Sequence, residues 1–309
     1  MMPRGLVELT KIVIDQDPLP EKPRTLDDIW DKFTGCAVIG PIRNNAENNF
    51  IHEILKDILS RESVKGDDWI RRASEIVRKS KSSTMDTEKI GVLKQLDQEL
   101  VGLNETLKHA SEVFENRVYE GRRISPELFE HLANHSKAQE FVSQICHPRG
   151  ELKISGFGLV KTILWLHGCG VGHTMVPPTN HIKSFLEEYY NMSLRPDQAR
   201  RRRYTSEDEA GEDWYVFSPI NQKFGEIATQ MAPKLSIPPT ARDAGVAVFW
   251  YKSTQNLLYK TSAKPRFTLE RFLDFLKDEF RGRLESLGDK LFDIDSIEEL
   301  ENRLRDYMG

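Results

Sequence analysis

Residues 148–190 read PRGELKISGFGLVKTILWLHGCGVGHTMVPPTNHIKSFLEEYY. The pattern predicts a short helix from Pro148, a bend at Gly156-Phe157-Gly158, an apolar helix opening at Leu159, a glycine-rich turn and a further helix after Thr179. Two glycines at the bend let the backbone turn tightly with no Cβ in the way. The first amides of the helix that follows have no intrahelical acceptor and lie at the positive end of its dipole. Such a helix start suits a phosphate, and Lys161, one turn in, adds charge. The same bend also reads as an ordinary glycine cap between two packed helices. Thr179 and Asn180 are good N-cap residues ahead of the periodic Ile182, Phe185, Leu186 and Tyr189.

Outward from this stretch the chain is mainly helical. Ile51, Ile54, Leu55, Ile58 and Leu59 fall on one helical face. A short helix after Gly66 turns Trp69, Ala73, Ile76 and Val77 inward, and KSKSST (79–84) reads as a polar joint. Leu93, Leu96, Leu100, Leu103, Leu107, Ala110 and Phe114 then alternate spacings of three and four. That seam belongs to a long helix over about 86–120, which either self-associates or binds a partner helix, or packs against its own domain. Gly91, Gly102 and Arg117 favour the packed reading. Ser125-Pro126 opens a helix through Leu128, Phe129 and Leu132, and another spans about 136–146 around Phe141, Val142 and Ile145. Ser218-Pro219 opens a helix with Ile220, Phe224, Ile227 and Met231 inward. GVAVFWY (245–251) is read as a buried helix behind a Thr240/Asp243 capping pattern, with Phe249, Trp250 and Tyr251 as core residues rather than a base-stacking platform. Leu269, Phe272, Leu273, Leu276, Phe280, Leu284 and Leu287 form an amphipathic C-terminal helix, and Ser296 with Glu299 caps another.

The ends and joints divide the chain. Pro3, Pro18, Pro20 and Pro23 break any long element in residues 1–48, which read as irregular. Residues 49–263 form a helical core carrying the inserted 86–120 helix, and 264–309 a helical extension. Between Asn191 and Asp213, arginines (Arg195, Arg200, Arg201, Arg202, Arg203) face a run of acids (Asp197, Glu207, Asp208, Glu209, Glu212, Asp213) with few apolar side chains, as in an exposed, mobile loop.

Composition bounds the function. The chain has 309 residues, 44 Lys plus Arg against 48 Asp plus Glu, and a formal charge of −4. It can bury roughly three-quarters of its unfolded surface, so it needs no disulfide or metal staple. No apolar run reaches the roughly 18 residues of a membrane span, and the charged N-terminus lacks the apolar core of a secretion signal. Three cysteines (Cys36, Cys146, Cys169) with no CxxC pair fit a reducing cytoplasm and exclude a four-cysteine cluster. The mild net charge leaves nucleic acid open as a partner.

The segment Ile154-Ser155-Gly156-Phe157-Gly158, followed by a helix and then by Thr179-Asn180-His181-Ile182, resembles the helix-hairpin-helix DNA glycosylase superfamily. That family pairs a Leu-Pro-Gly-Val-Gly hairpin with an Asp-Thr-His-Ile-like helix start. FIHEILKDILSRES (50–63) is similar to the family's early helix. The resemblance covers about 50–80 and 125–260. It implies an all-α, two-lobed fold with a base pocket between the lobes near Thr179, Asn180 and His181. It also implies DNA, duplex or single-stranded, held through Gly156, Gly158 and Lys161, with the target nucleotide swung out of the stack. The family's catalytic Asp position holds Thr179, and its lyase Lys position falls on Val160. Neither Thr179 nor Asn180 carries the charge that stabilises a sugar cation or activates water. Any acid must come from elsewhere, with Asp243, Glu187 and Glu226 as candidates beside Lys161 and Asn180.

Two further constellations have a chemical and a plain reading. His167, Cys169, His173 and His181, with Cys146 and His147, are zinc-type ligands, but H-x-C-x3-H matches no standard site, and Gly168, Gly170 and Gly172 mark a turn. No metal or cofactor is therefore expected. Arg200 to Arg203 with Tyr204 either grip phosphates and stack on a base, or form a solvated loop paired with the acids that follow. Two functions remain in view: a DNA N-glycosylase acting in repair, or a binding or scaffolding protein that keeps the fold without the chemistry.

Overall fold

The computed structural model describes residues 3–39, 45–66, 68–84, 87–147, 149–192, 194 and 211–262. The expected C-terminal helices beyond 263, and Arg200 to Arg203, lie outside them. The protein is mainly helical, with twelve α-helices among the described residues and one two-stranded ribbon. The chain divides into two compact units, one from residues 3–19, 173–194 and 212–262, the other from 20–172.

The 20–172 unit begins with α2 (Leu26–Ala37), whose Thr25 and Asp28 form a capping box. It continues through α3 (Asn45–Leu55), α4 (Arg61–Lys65), α5 (Asp68–Ser83) and the thirty-residue α6 (Thr87–Asn116). The strands β1 (Val118–Tyr119) and β2 (Arg122–Arg123) follow, then α7 (Pro126–His131), α8 (His135–Cys146) and α9 (Leu159–Gly168). Lys81 near the end of α5 pairs with Asp97 at 2.8 Å, and Lys65 ahead of α5 pairs with Glu115, so α5 runs back along α6.

Leu93, Leu96, Leu100, Leu103, Leu107, Ala110 and Phe114 are all buried, none more than 8% exposed, where α6 packs against α2, α3, α4 and α5. The seam is an internal packing face and is not free to pair with a second copy, which corrects the self-association reading. At the centre of this unit Phe33 stacks on Phe157 at 4.4 Å, while Trp165 meets Phe33, Phe129 and Phe157 edge-on. Phe33, Phe157 and Trp165 are at most 1% exposed, and each contributes about 2–3 kcal/mol by leaving water.

In the other unit α1 (Arg4–Gln16) and α10 (Asn180–Tyr190) pack on α12 (Ala241–Ser262), with α11 (Gly211–Met231) alongside. Leu6, Val13, Val176, Phe185, Ile220, Phe224, Met231 and Val248 fill its core. Trp250 and Tyr251 are buried as expected.

Four local expectations are revised. The supposedly irregular residues 1–48 contain α1 and α2, because Pro3 precedes α1 and Pro18, Pro20 and Pro23 fall between the two helices rather than inside either. KSKSST is no joint: α5 continues to Ser83, with Ser82 and Ser83 donating back to the Arg78 and Ser80 carbonyls. The helix expected to open at Ser218-Pro219 starts at Gly211 and runs through Pro219, whose exposed position leaves the lost amide bond facing water. Finally, residues 149–158 are turns, not the hairpin's first helix. Gly150 lies so close to α8 that a Cβ there would stand 2.1 Å from the Gln144 carbonyl oxygen, and Glu151 donates its amide to the Gln144 side chain at 2.9 Å. The segment folds back on the end of α8 instead of winding into a helix.

Candidate nucleic-acid interface

The bend that the sequence singles out is held from three sides. Phe157 anchors it in the aromatic core. Ser155 donates its amide to Nδ1 of His109 on α6 at 3.1 Å, and Gly156 adopts φ +71° with its Cα against Thr106 of the same helix. Phe157 donates its own amide to the Ile154 carbonyl at 3.2 Å, so two amides of the bend are already accepted, and Gly156 serves packing rather than a ligand. Gly158 differs. It is exposed and is the N-cap of α9 at φ −83°, ψ −178°; no side chain caps the helix there, and a Cβ on it would meet nothing within 4 Å. The start of α9 thus presents uncapped amides at a helix dipole's positive end. Lys161 does not reach toward it for a phosphate: its ammonium donates to the Ala37 carbonyl at the end of α2, at 2.8 Å.

The pocket residues and the carboxylate candidates belong to the other unit. Thr179 is the N-cap of α10, accepting from the Ile182 amide at 3.4 Å; Asn180 is exposed beside it, and the His181 ring lies 5.0 Å from Phe249 of α12. Asp243 is buried and spent on structure. Its Oδ2 accepts from the Thr240 amide and hydroxyl, each at 2.8 Å, completing the expected capping box, while Oδ1 accepts from Arg242 at 3.3 Å. Arg242 in turn grips Asp17 at the end of α1, so the trio ties α1 to α12. Three donors occupy most of this carboxylate's roughly four lone-pair sites and fix it in the cap, which sets it to hold α12 rather than to reach a substrate. Glu187 is exposed on α10, and exposed Glu226 pairs with Lys223 at 2.7 Å, which lowers its pKa.

The His/Cys constellation resolves into a helix end. Gly170 at φ +71° closes α9, with Val171 donating to the Leu166 carbonyl and Gly170 to that of His167, a Schellman motif. His167 Nε2 lies 3.1 Å from the Gly172 carbonyl, and Cys169 is buried. Among the described residues, no group of three or more His, Cys, Asp or Glu side chains could hold a metal ion. Burial pushes the Cys36 thiol up to about 12 and that of Cys146 up to about 11, and raises that of Cys169 as well, so none is an activated nucleophile. A surface concavity of about 250 Å³ beside Arg78, Lys79, Ser82 and Ser83 lies at the end of α5, where the helix dipole disfavours an anion.

One basic element escaped the sequence reading. Arg117, Arg122 and Arg123 flank the ribbon β1–β2, which pairs Val118 with Arg123 and Tyr119 with Arg122 across the two-residue turn Glu120-Gly121. The signal was there: two β-formers, an acid-Gly dipeptide and two arginines make a hairpin signature.

The described helices include none long and apolar enough to cross a membrane. Compared with protein-family models, with curated proteins and with solved structures, the chain matches none.

Proposed function

We propose that the protein binds the phosphate backbone of nucleic acid without excising a base, as a non-catalytic relative of the helix-hairpin-helix glycosylases. The observation that carries this reading is the uncapped, solvent-facing start of α9 at Gly158. Against catalysis stand the neutral cap Thr179, where the resemblance would put an acid, and the engagement of Asp243 in the cap of α12 and with Arg242. Backbone contact of this kind reads phosphates and not bases, so binding is independent of sequence and weakens with salt.

Gly158→Glu tests it. The φ, ψ of Gly158 suits any residue and its Cβ direction is open, so the variant folds while placing a carboxylate at the phosphate position. Fluorescence anisotropy with a labelled duplex should show loss of binding; unchanged affinity rejects the α9 site. Incubation with oligonucleotides carrying uracil, oxidised or alkylated bases should yield no abasic site, and any such product overturns the non-catalytic reading.

A further inference from the structure

We infer that the β1–β2 ribbon is a second nucleic-acid contact, an arginine clamp held in shape by a strained turn. Arg117, Arg122 and Arg123 are exposed, and none of them forms an ion pair with a described residue; Arg122 reaches only the Glu120 carbonyl, at 3.3 Å. Three acids close to them in sequence are engaged elsewhere. Glu115 pairs with Lys65, Glu120 pairs with Lys137 and with His131 at 2.6 Å, and Glu127 is bonded to Ser125 at the start of α7. What the ribbon offers to solvent is therefore three exposed guanidiniums, Arg123 on the face of its cross-strand partner Val118 and Arg122 on that of Tyr119, and guanidinium is the group that matches phosphate with paired donors.

The turn fixes how they are presented. Glu120 and Gly121 both take positive φ, +48° and +75°, the type I′ geometry that fits the twist of a two-residue hairpin. Glutamate rarely adopts it, and here its carboxylate is drawn between His131 and Lys137 on α7 and α8. Tyr119 packs edge-on against Phe141 and is buried, so the ribbon is pinned to the unit from both its turn and its inner face. Thr106 and His109, which hold the bend, lie in the last three turns of α6, whose end at Asn116 leads directly into Arg117 and the ribbon. From Thr106 to Asn116 the helix axis rises about 15 Å. A polymer with regularly spaced phosphates meets both contacts; an isolated anion meets one. Val118, 49% exposed, is the ribbon's single large exposed apolar side chain, too little for insertion into a lipid surface.

Assigning nucleic acid to this ribbon rests on the reading in the previous subsection, and the test keeps the two apart. Anisotropy titrations of a labelled duplex against the full chain, R117A/R122A/R123A and Gly158→Glu are run over a salt series. The triple variant should keep its melting temperature, bind about tenfold or more weakly at low salt, and flatten the log–log salt slope by about 2–3, close to 0.9 per phosphate lost. Equal affinity and slope in the triple variant, with Gly158→Glu impaired, overturns the clamp and leaves the α9 site standing. Weakening in the triple variant but not in Gly158→Glu supports the clamp and rejects the α9 site. Duplex binding absent in the unmodified chain overturns both. Retention of duplex binding by the triple variant together with lost binding to phosphatidylserine vesicles would reassign the ribbon to anionic lipid and overturn the nucleic-acid clamp.

Discussion

Gly156 sits with its Cα against the hydroxyl of Thr106: a Cβ built on it would stand 2.3 Å from Thr106 Oγ1, and its φ is +71°. The glycine that marks the bend in the sequence is therefore fixed by two demands of packing. Its left-handed backbone disfavours any side chain, and the long helix α6 occupies the space a side chain would need.

Gly156→Ala should destabilise the protein by about 2 kcal/mol or more, of which about 1–2 kcal/mol is backbone strain. Thr106→Ala in the same chain should recover the steric part, because the next atom, Thr106 Cβ, is at an ordinary 3.6 Å. Urea unfolding of both single variants and the double closes the cycle. Strict additivity would deny the contact.

Thr179 is expected to behave as a cap. Thr179→Ala should cost about 1 kcal/mol by leaving the Ile182 amide without its acceptor, whereas Thr179→Asp, equally able to cap, should cost almost nothing. Thermal unfolding gives both. A stable Thr179→Asp protein also carries the acid that the resemblance would require, and it should still release no base, since its carboxylate is held by the Ile182 amide as a cap.

What was legible in the chain follows from how local each signal is. The α6 seam, the Thr179 cap and the Thr240/Asp243 box are written in spacings of three and four residues and reappear as such. The α1 and α2 helices were hidden because prolines flag breaks without saying whether they fall inside or between elements. The turns at 149–158 depend on Gly150 meeting the Gln144 carbonyl, and the accepted Ser155 amide depends on His109, forty-six residues earlier. No pattern within a helical window carries such a contact. The bend was found by sequence; its amides are taken up by His109 of α6 and, within the turn, by the Ile154 carbonyl.

The thiols should make the protein sensitive to alkali. Burial raises the folded-state values of Cys36 and Cys146 to about 12 and about 11, while unfolded thiols titrate near 8.5. Below that value their share of stability is complete. As pH rises the unfolded chain releases protons that the folded chain keeps, so stability falls progressively between about 9 and 12. Cys146→Ala should flatten that decline in urea unfolding at successive pH values. Reaction of the buried Cys146 and Cys169 with a thiol-specific disulfide reagent at neutral pH should be slow in the native protein and complete on unfolding.

The strained turn gives a comparison with an unusual sign. Glu120→Ala keeps φ at +48°, and with it the strain, while removing the pairs with His131 and Lys137. Glu120→Gly loses the same pairs but relieves about 1 kcal/mol of left-handed strain, and half-exposed ion pairs of this kind are worth at most about 1 kcal/mol each. Glycine, ordinarily the costlier residue, should therefore be the milder substitution, with a melting temperature above that of the alanine variant. If alanine proves the milder one, the turn is not held in its left-handed form. The ribbon's arginines would then lack the fixed presentation that lets them act as a clamp.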